Sequence, residues 1–338
     1  MFISRDVLNH DQFLAREFVS GSFLQSTVWK DFLELQGKQF WQLTVTDQDK
    51  EKIATCVLYE NRLWFGKSYL YAPKGPVFAN NVTEAEKQEA LALILSQIRD
   101  ITIATHKHEE LFCKLEPNEA ILPPPELIHN SAVQPQDTWV LDLGEEPKEL
   151  LAKMHPKTRY NIVLANKKNV KIRVSQEEKD IKYFLRLIKK TAARQQIATH
   201  SEHYYKLLWK ALLKNKVGKL YLAEIGDEIV AANLLIEFGR TVTYLHGASD
   251  YSYRKYMTPH LLQWQAIKDA NEQGFEIYDF WGVAPKDGSK PNWEGITRFK
   301  KGFGGRMVSY PGVKIFVYNK QWYRFYLGAK KLINFIKK

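Results

Sequence analysis

Short apolar and β-branched runs, separated by polar turns, set the rhythm of the first half of the chain. Residues 42–46 and 53–59 read as two strands joined by the polar turn 47–51, which predicts a hairpin. A third strand is expected at 68–77, punctuated at its end by Pro73, Gly75 and Pro76. Residues 83–99 fit a helix, with Thr83 as its cap and Glu84 and Glu86 suited to its positive N-terminal end. Strands follow at 111–117, stopped by Pro117, and at 138–143. Between them residues 118–136, with Pro123, Pro124, Pro125 and Pro135, read as a loop or linker. A short helix is expected at 146–154.

The second half repeats this order. Helices are expected at 180–195 and 202–214, with Ser201 as a cap for the latter. A hairpin runs through 219–225 and 229–236 around Gly226 and Asp227, followed by a strand at 240–247, a helix at 258–272 and a strand at 277–282. Both halves thus carry hairpin, strand, helix and strand, an echo of structure without a repeat of sequence. Two mixed sheets with helices on their faces follow, an α/β (α+β) architecture in two tandem domains. Acetyltransferase-like (GNAT) sheets share this order, and there splayed strands and a helix N-terminus hold an acyl donor. Residues 319–338 form a basic amphipathic helix that suits either packing on the body of the protein or contact with an anionic membrane surface.

A chain of 338 residues has room for two domains, each with its own core. The formal net charge of +11 favours polyanionic partners: nucleic acid, phosphorylated metabolites or an anionic membrane. Basic residues are densest at 153–173 and in the last twenty positions. The two cysteines, Cys56 and Cys113, show no metal-ligand spacing, so neither a metal nor another cofactor is expected. No apolar run approaches the roughly 20 residues needed to cross a bilayer, and the N-terminus lacks an apolar signal core. The expected location is the cytoplasm, with peripheral contact at the membrane face as a further expectation.

The segment 295–305 concentrates the candidate chemistry. It sets Arg298, Lys300 and Lys301 among Phe299, Phe303 and a glycine cluster, just after the aromatic strand 277–282. Glycine lets a backbone approach a ligand closely, and a lysine held there can meet a phosphate or a developing oxyanion. If the segment is a strand, Lys300 and Lys301 point to opposite faces and only one can serve; a basic surface turn is the alternative. Glu116, at a strand end, is a candidate to orient or deprotonate an amine, or a solvated carboxylate. Tyr251 and Arg254 follow the strand 240–247, where Arg254 suits a phosphate or an ordinary capping role. Trp281 suits the wall of a cleft or the core. Lys157, Arg159, Lys167, Lys168 and Lys171 make a basic run suited to phosphate contacts or to a solvated face. No Ser-His-Asp or Cys-His series is present.

Several blocks together resemble one family. They are Gln25-Ser26 with Trp29, residues 71–77, residues 114–117, and Lys157-Thr158-Arg159-Tyr160-Asn161-Ile162 with Ala165, Lys167 and Lys168. Residues 244–249, Asp279-Phe280-Trp281-Gly282 and residues 299–304 complete the series. In this order, over nearly the whole chain, they are similar to the Fem-type (FemABX) peptidoglycan aminoacyltransferases. The resemblance implies two acetyltransferase-like domains, 1–145 plus 317–338 and 146–316, in the compact form without a coiled-coil arm. It implies transfer of an amino acid from aminoacyl-tRNA to the side-chain amine at the third stem-peptide residue of a peptidoglycan precursor. The acceptor is lipid-linked (lipid II) or nucleotide-linked (UDP-MurNAc-peptide).

By the same resemblance, Lys300 stabilises charge at the ester with Phe299 beside it. Glu116 stands where relatives often carry Asp. Lys30, Thr199 and Tyr205 fall near positions that hold the nucleotide or phosphate part of the precursor. Lys157, Arg159 and Lys168 fall in the block expected to receive the tRNA acceptor stem. Ser201 replaces a basic residue of a relative that acts on the nucleotide-linked precursor, which favours the lipid-linked one. Two competing readings are an acyltransferase using acyl-coenzyme A and a non-catalytic tRNA- or membrane-binding module. The loop 253–259 holds no glycine for a pyrophosphate, which counts against the first; the second leaves the 299–305 motif unexplained.

Overall fold

A computed structural model describes residues 1–5, 8–18, 21–64, 66–105, 109–121, 127–130, 133–195 and 199–336. The chain divides into two units. The first takes Met1–Phe18, Ser22–Gln134 and Tyr310–Lys338; the second takes Val19–Gly21 and Pro135–Ser309. In chain order the first unit begins with β1 (Phe2–Ser4), α1 (His10–Glu17), α2 (Thr27–Leu35), β2 (Phe40–Thr46), β3 (Lys52–Arg62) and β4 (Lys67–Ala72). It continues with β5 (Val77–Phe78), α3 (Glu84–Thr105), β6 (Glu109–Leu115) and β7 (Leu127–Asn130). The second unit holds β8 (Asp137–Asp142), α4 (Pro147–Lys153), α5 (Pro156–Lys167), β9 (Lys171–Ser175), α6 (Ile181–Gln195) and α7 (Glu202–Lys214). It goes on through β10 (Gly218–Ile225), β11 (Glu228–Phe238), β12 (Thr241–Ser249), α8 (Thr258–Glu272), β13 (Ile277–Gly282), α9 (Glu294–Lys301) and β14 (Arg306–Ser309). The chain then returns to the first unit with β15 (Val313–Val317) and α10 (Lys320–Ile336).

Each unit is built on one mixed sheet. The first runs β1-β2-β3-β4-β6-β15-β7, with β5 paired to β3, and the second runs β14-β8-β13-β12-β11-β10-β9. Each contains one parallel pair, β4 with β6 and β12 with β13. In the first unit α3 lays Leu91, Ile94 and Ile98 on Leu43, Cys56 and Leu58. Its start follows from a reciprocal cap: the Thr83 hydroxyl accepts from the Glu86 N–H (3.3 Å), and the Glu86 carboxylate accepts from the Thr83 N–H (2.7 Å). In the second unit α8 packs Leu262, Ala266 and Ile267 with Ala223, Tyr278, Phe280 and Ile162 of α5.

The sheets place the unit boundaries, 134/135 and 309/310, eleven and seven residues before the expected 145/146 and 316/317. The cause is strand pairing. Strand β8 joins β13 and β14 and so belongs to the second unit. Strand β15 lies between β6 and β7 and so belongs to the first. The expected linker 118–136 contains β7, which pairs with β15; Pro123, Pro124 and Pro125 lie outside the described residues.

Candidate active site

In the second unit the parallel pairing of β12 and β13 runs only from Thr241–Ile277 to Thr243–Asp279. Beyond it both strands continue without pairing to each other, β12 to Ser249 and β13 to Gly282. Asp279 is fully buried at the parting point, where its carboxylate accepts from the Thr138 hydroxyl and from the Trp281 N–H (2.7 Å). Between them the backbone takes a kink: Trp281 sits at φ 63°, a left-handed conformation rare for a bulky side chain. Such strain persists only where surrounding bonds hold it, and Asp279 supplies one. The kink ends at Gly282, whose carbonyl accepts from the Lys300 ammonium at 2.6 Å.

Lys300 reaches this carbonyl from a helix, so the segment is neither the strand considered for it nor a surface turn. On α9 successive residues lie about 100° apart rather than on opposite faces. Lys300 is 6% exposed while its neighbour Lys301 faces solvent. The Lys300 ammonium stands 5.8 Å from the centre of the Tyr244 ring. Burial pulls its pKa from the usual 10.5 to about 7, opposed by the Asp279 carboxylate. Phe299 is half-buried and meets His260 and Phe303 edge-on, at 5.1 and 5.2 Å. Burial holds the His260 imidazole down at about 4, so this cluster stays neutral at physiological pH.

Two glycines of the segment, Gly302 and Gly305, serve the chain's own packing. A Cβ on Gly302 would lie 2.4 Å from the Thr158 hydroxyl, and one on Gly305 would lie 2.2 Å from the Val140 carbonyl oxygen. Gly305 also has φ +89°, which an L side chain rarely adopts. The run therefore lets the end of α9 close onto α5 and β8.

The remaining expected residues of the second unit occupy varied settings. Tyr205 is a core residue, its ring 5.2 Å from both Phe184 and His246. Thr199 is exposed, two positions before Ser201, whose hydroxyl caps α7 by accepting from the Tyr204 N–H (3.2 Å). The exposed Tyr251 ring carries the guanidinium groups of Arg194 (4.7 Å) and Arg254 (4.5 Å). Trp281 is half-buried beside Gly282. The basic run does not form one free face. Arg159 donates to the carbonyls of Ala152 (2.9 Å) and Met154, tying α5 to the end of α4, and Lys168 donates to the Lys255 carbonyl. Lys157, Lys167 and Lys171 are the members with exposed side chains.

Glu116 and Lys30 belong to the first unit. Glu116 is 4% exposed, so it is not a solvated carboxylate at a strand end. It accepts from the Tyr71 hydroxyl and from the N–H groups of Val133 (2.6 Å) and Gln134 (3.1 Å). Burial raises its pKa against the pull of these donors. Lys30 is half-buried and donates to Gln42 (2.6 Å). Two motif blocks of this unit also meet. The fully buried Gln25 amide donates to the carbonyls of Val57 (2.9 Å) and Pro73 (2.7 Å) and accepts from the Val57 N–H (2.6 Å). It fills the space a Cβ on Gly75 would need. Asp279, Tyr244 and Gln25 were given no role by sequence reasoning, although all three lie in the blocks that carry the family resemblance. Among the described residues no group of His, Cys, Asp or Glu could hold a metal ion, and no helix is long and apolar enough to cross a membrane.

Comparison with known proteins gives this geometry its relatives. The FemAB family matches residues 6–122, 127–227 and 219–331. Aminoacyltransferase FemA of Staphylococcus aureus is 29% identical over 120 residues, which are 35% of this chain and 29% of FemA. The chain therefore spans less than a third of that relative in the match. Among solved structures, FemX superposes with a TM-score of 0.82 at 20% identity, over 96% of this chain and 99% of FemX. L-PGS from Bacillus licheniformis gives 0.50 at 10% identity, over 92% and 97%. These likenesses concern the fold, two acetyltransferase-like α/β units in tandem. The family match runs through both units and takes in the Gln25 clamp, the Asp279 kink and the buried Lys300; the chain belongs to the FemAB family.

Proposed function

We propose that the protein is an aminoacyltransferase of peptidoglycan assembly. It takes an amino acid from aminoacyl-tRNA and joins it to the side-chain amine of a precursor's stem peptide. The observation that carries this reading is the buried Lys300 ammonium, held by the Gly282 carbonyl where β12 and β13 part. The reaction is aminolysis of an activated ester. The acceptor amine attacks the ester carbonyl carbon, a C–N bond forms, and the carbonyl oxygen gains negative charge. Loss of the amine proton and collapse of the intermediate break the ester C–O bond and release the tRNA hydroxyl. A fixed cation in a water-poor setting stabilises that oxyanion far more than it would in water, and Lys300 is such a cation when protonated. Phe299, Phe303 and the neutral His260 pack against one another at the end of α9 that carries Lys300. Asp279 acts through the Trp281 kink as a positioning residue for the carbonyl that holds Lys300.

Glu116, already saturated with donors, fits a role in fixing the backbone at Val133 and Gln134 better than that of a free base. The choice of tRNA over acyl-coenzyme A is supported by the turn before α8. It runs Tyr251–Tyr256 as a tight 3-10 turn with no glycine to admit a pyrophosphate. The use of Ser201 as a helix cap, with no basic side chain there, supports the lipid-linked acceptor.

The test is a transfer assay with a panel of radiolabelled aminoacyl-tRNAs and lipid-linked or nucleotide-linked muropeptide. Transfer is expected with one such pair, and Lys300→Met should lower kcat by at least about 100-fold, the usual effect of deleting an oxyanion donor. Absence of transfer to both acceptors, or full activity in Lys300→Met, overturns the assignment.

A further inference from the structure

The chain's excess charge has an address. Residues 295–338 contain eleven Lys and Arg and no Asp or Glu, so they account for the whole formal net charge of +11. Seven of the eleven lie at 310–338, in the segment that joins the first unit.

Helix α10 uses one face for packing. Tyr323 is buried, and Tyr323 and Tyr326 meet the Phe112 ring at 5.1 and 5.2 Å. Its other side is not covered. Phe325 is 55% exposed and stands edge-on to Trp322 at 5.5 Å. The Lys67 ammonium lies 4.7 Å over the Trp322 ring, which ties the helix to the tight turn between β3 and β4. In that turn the Lys67 backbone N–H donates to the Trp64 carbonyl (3.2 Å), and Trp64 is 48% exposed. Trp64 is thus linked through Lys67 to the Trp322–Phe325 pair.

Exposed cations lie on the same elements. Lys320, Arg324 and Lys330 of α10 are exposed, as is Arg62 at the end of β3. Glu60 is buried near Arg62 (3.7 Å). The helix itself offers no acid to balance its basic residues. The Lys330 charge also helps pull the buried Lys114 down to about 8, after burial itself.

We propose that this face of the first unit, Trp64 with Trp322 and Phe325 inside a rim of Arg62, Lys320, Arg324 and Lys330, docks on an anionic lipid surface. Exposed aromatics at the level of lipid headgroups, with basic side chains beside them, are how a helix lies in a membrane interface without spanning it. The rim meets anionic headgroups by charge, and the aromatics enter the boundary with the acyl chains. Charge alone would also suit nucleic acid; the two exposed hydrophobic anchors, on separate elements of one face, favour lipid.

The experiment is sedimentation of the full chain with vesicles of phosphatidylcholine, with and without phosphatidylglycerol. Binding is expected only when phosphatidylglycerol is present. Each neutralised cation, as in Lys320→Gln or Arg324→Gln, should weaken it about fivefold. Trp64→Ser with Phe325→Ser should weaken it about tenfold or more, and circular dichroism should show an unchanged fold because both side chains are exposed. No sedimentation with the anionic vesicles overturns the proposal. So does binding that the aromatic and cation variants leave unchanged, or a loss of tRNA retention in those variants while vesicle binding persists.

Discussion

Replacing Lys300 by Met should make the protein more stable while removing its chemistry. The size of the gain follows from the pKa. Moving an ammonium from the usual 10.5 to about 7 is worth about 5 kcal/mol, at 1.36 kcal/mol for each factor of ten. The side chain is almost wholly enclosed, so solvent screening does not erase this cost. Against it stands the charge-assisted hydrogen bond to the Gly282 carbonyl, worth about 2 kcal/mol. Methionine fills a similar volume without the charge, which leaves a net gain of about 3 kcal/mol at neutral pH. The sign of the pH dependence is fixed too. A base whose folded pKa lies below its unfolded value binds fewer protons when folded, so its penalty fades as pH rises from about 7 to 10.5. Calorimetric melts of wild type and Lys300→Met at several pH values across that window check this. The variant should melt higher at pH 7, and the advantage should shrink steadily toward pH 10.5. A variant that melts lower at pH 7, or keeps a constant advantage across the window, refutes the picture of a buried, destabilised ammonium.

With the role proposed for the Lys300 cation, kcat/KM of transfer should fall along an alkaline limb near pH 7, read from a pH–rate profile. Gly305→Ala should cost about 2–4 kcal/mol, since its Cβ meets the Val140 carbonyl oxygen at 2.2 Å and its φ of +89° is strained for alanine. A drop of several degrees in Tm is the readout. Glu116→Ala should destabilise the first unit by about 2–4 kcal/mol by leaving the Tyr71, Val133 and Gln134 donors without an acceptor; urea unfolding measures it. Thr83→Ala should cost about 1 kcal/mol through loss of the α3 cap, measured the same way.

Elements with strong local patterns were legible in the sequence. The hairpins β2–β3 and β10–β11 and the capped helices α3 and α7 all announce themselves within a dozen residues. Strands β7, β14 and β15 did not, because they are short and owe their existence to partners far along the chain, as β15 owes its place to β6. Helix α9 was read as a turn or strand for a related reason. Its buried positions are Thr297 and Lys300, a helical spacing carried by polar residues that a hydrophobic pattern does not mark. The site shows the same division. Lys300 stood out by its company of aromatics and glycines. The role of Asp279 emerges only when the Trp281 kink and the Thr138 hydroxyl are seen around it.

The position of β15 has a consequence for how the protein comes off the ribosome. Strand β6 emerges early, but its partner β15 follows only after about 200 further residues, or roughly 10–40 s at ordinary rates of synthesis. During that interval one edge of β6 has no neighbour, and the segment Pro135–Ser309 already holds every strand of its own sheet. The inserted unit is therefore free to fold before the unit that begins the chain. A nonsense codon in the short stretch between Ser309 and Val313 would yield a product with every strand of the second sheet present and the first sheet left open along β6, an edge primed for aggregation.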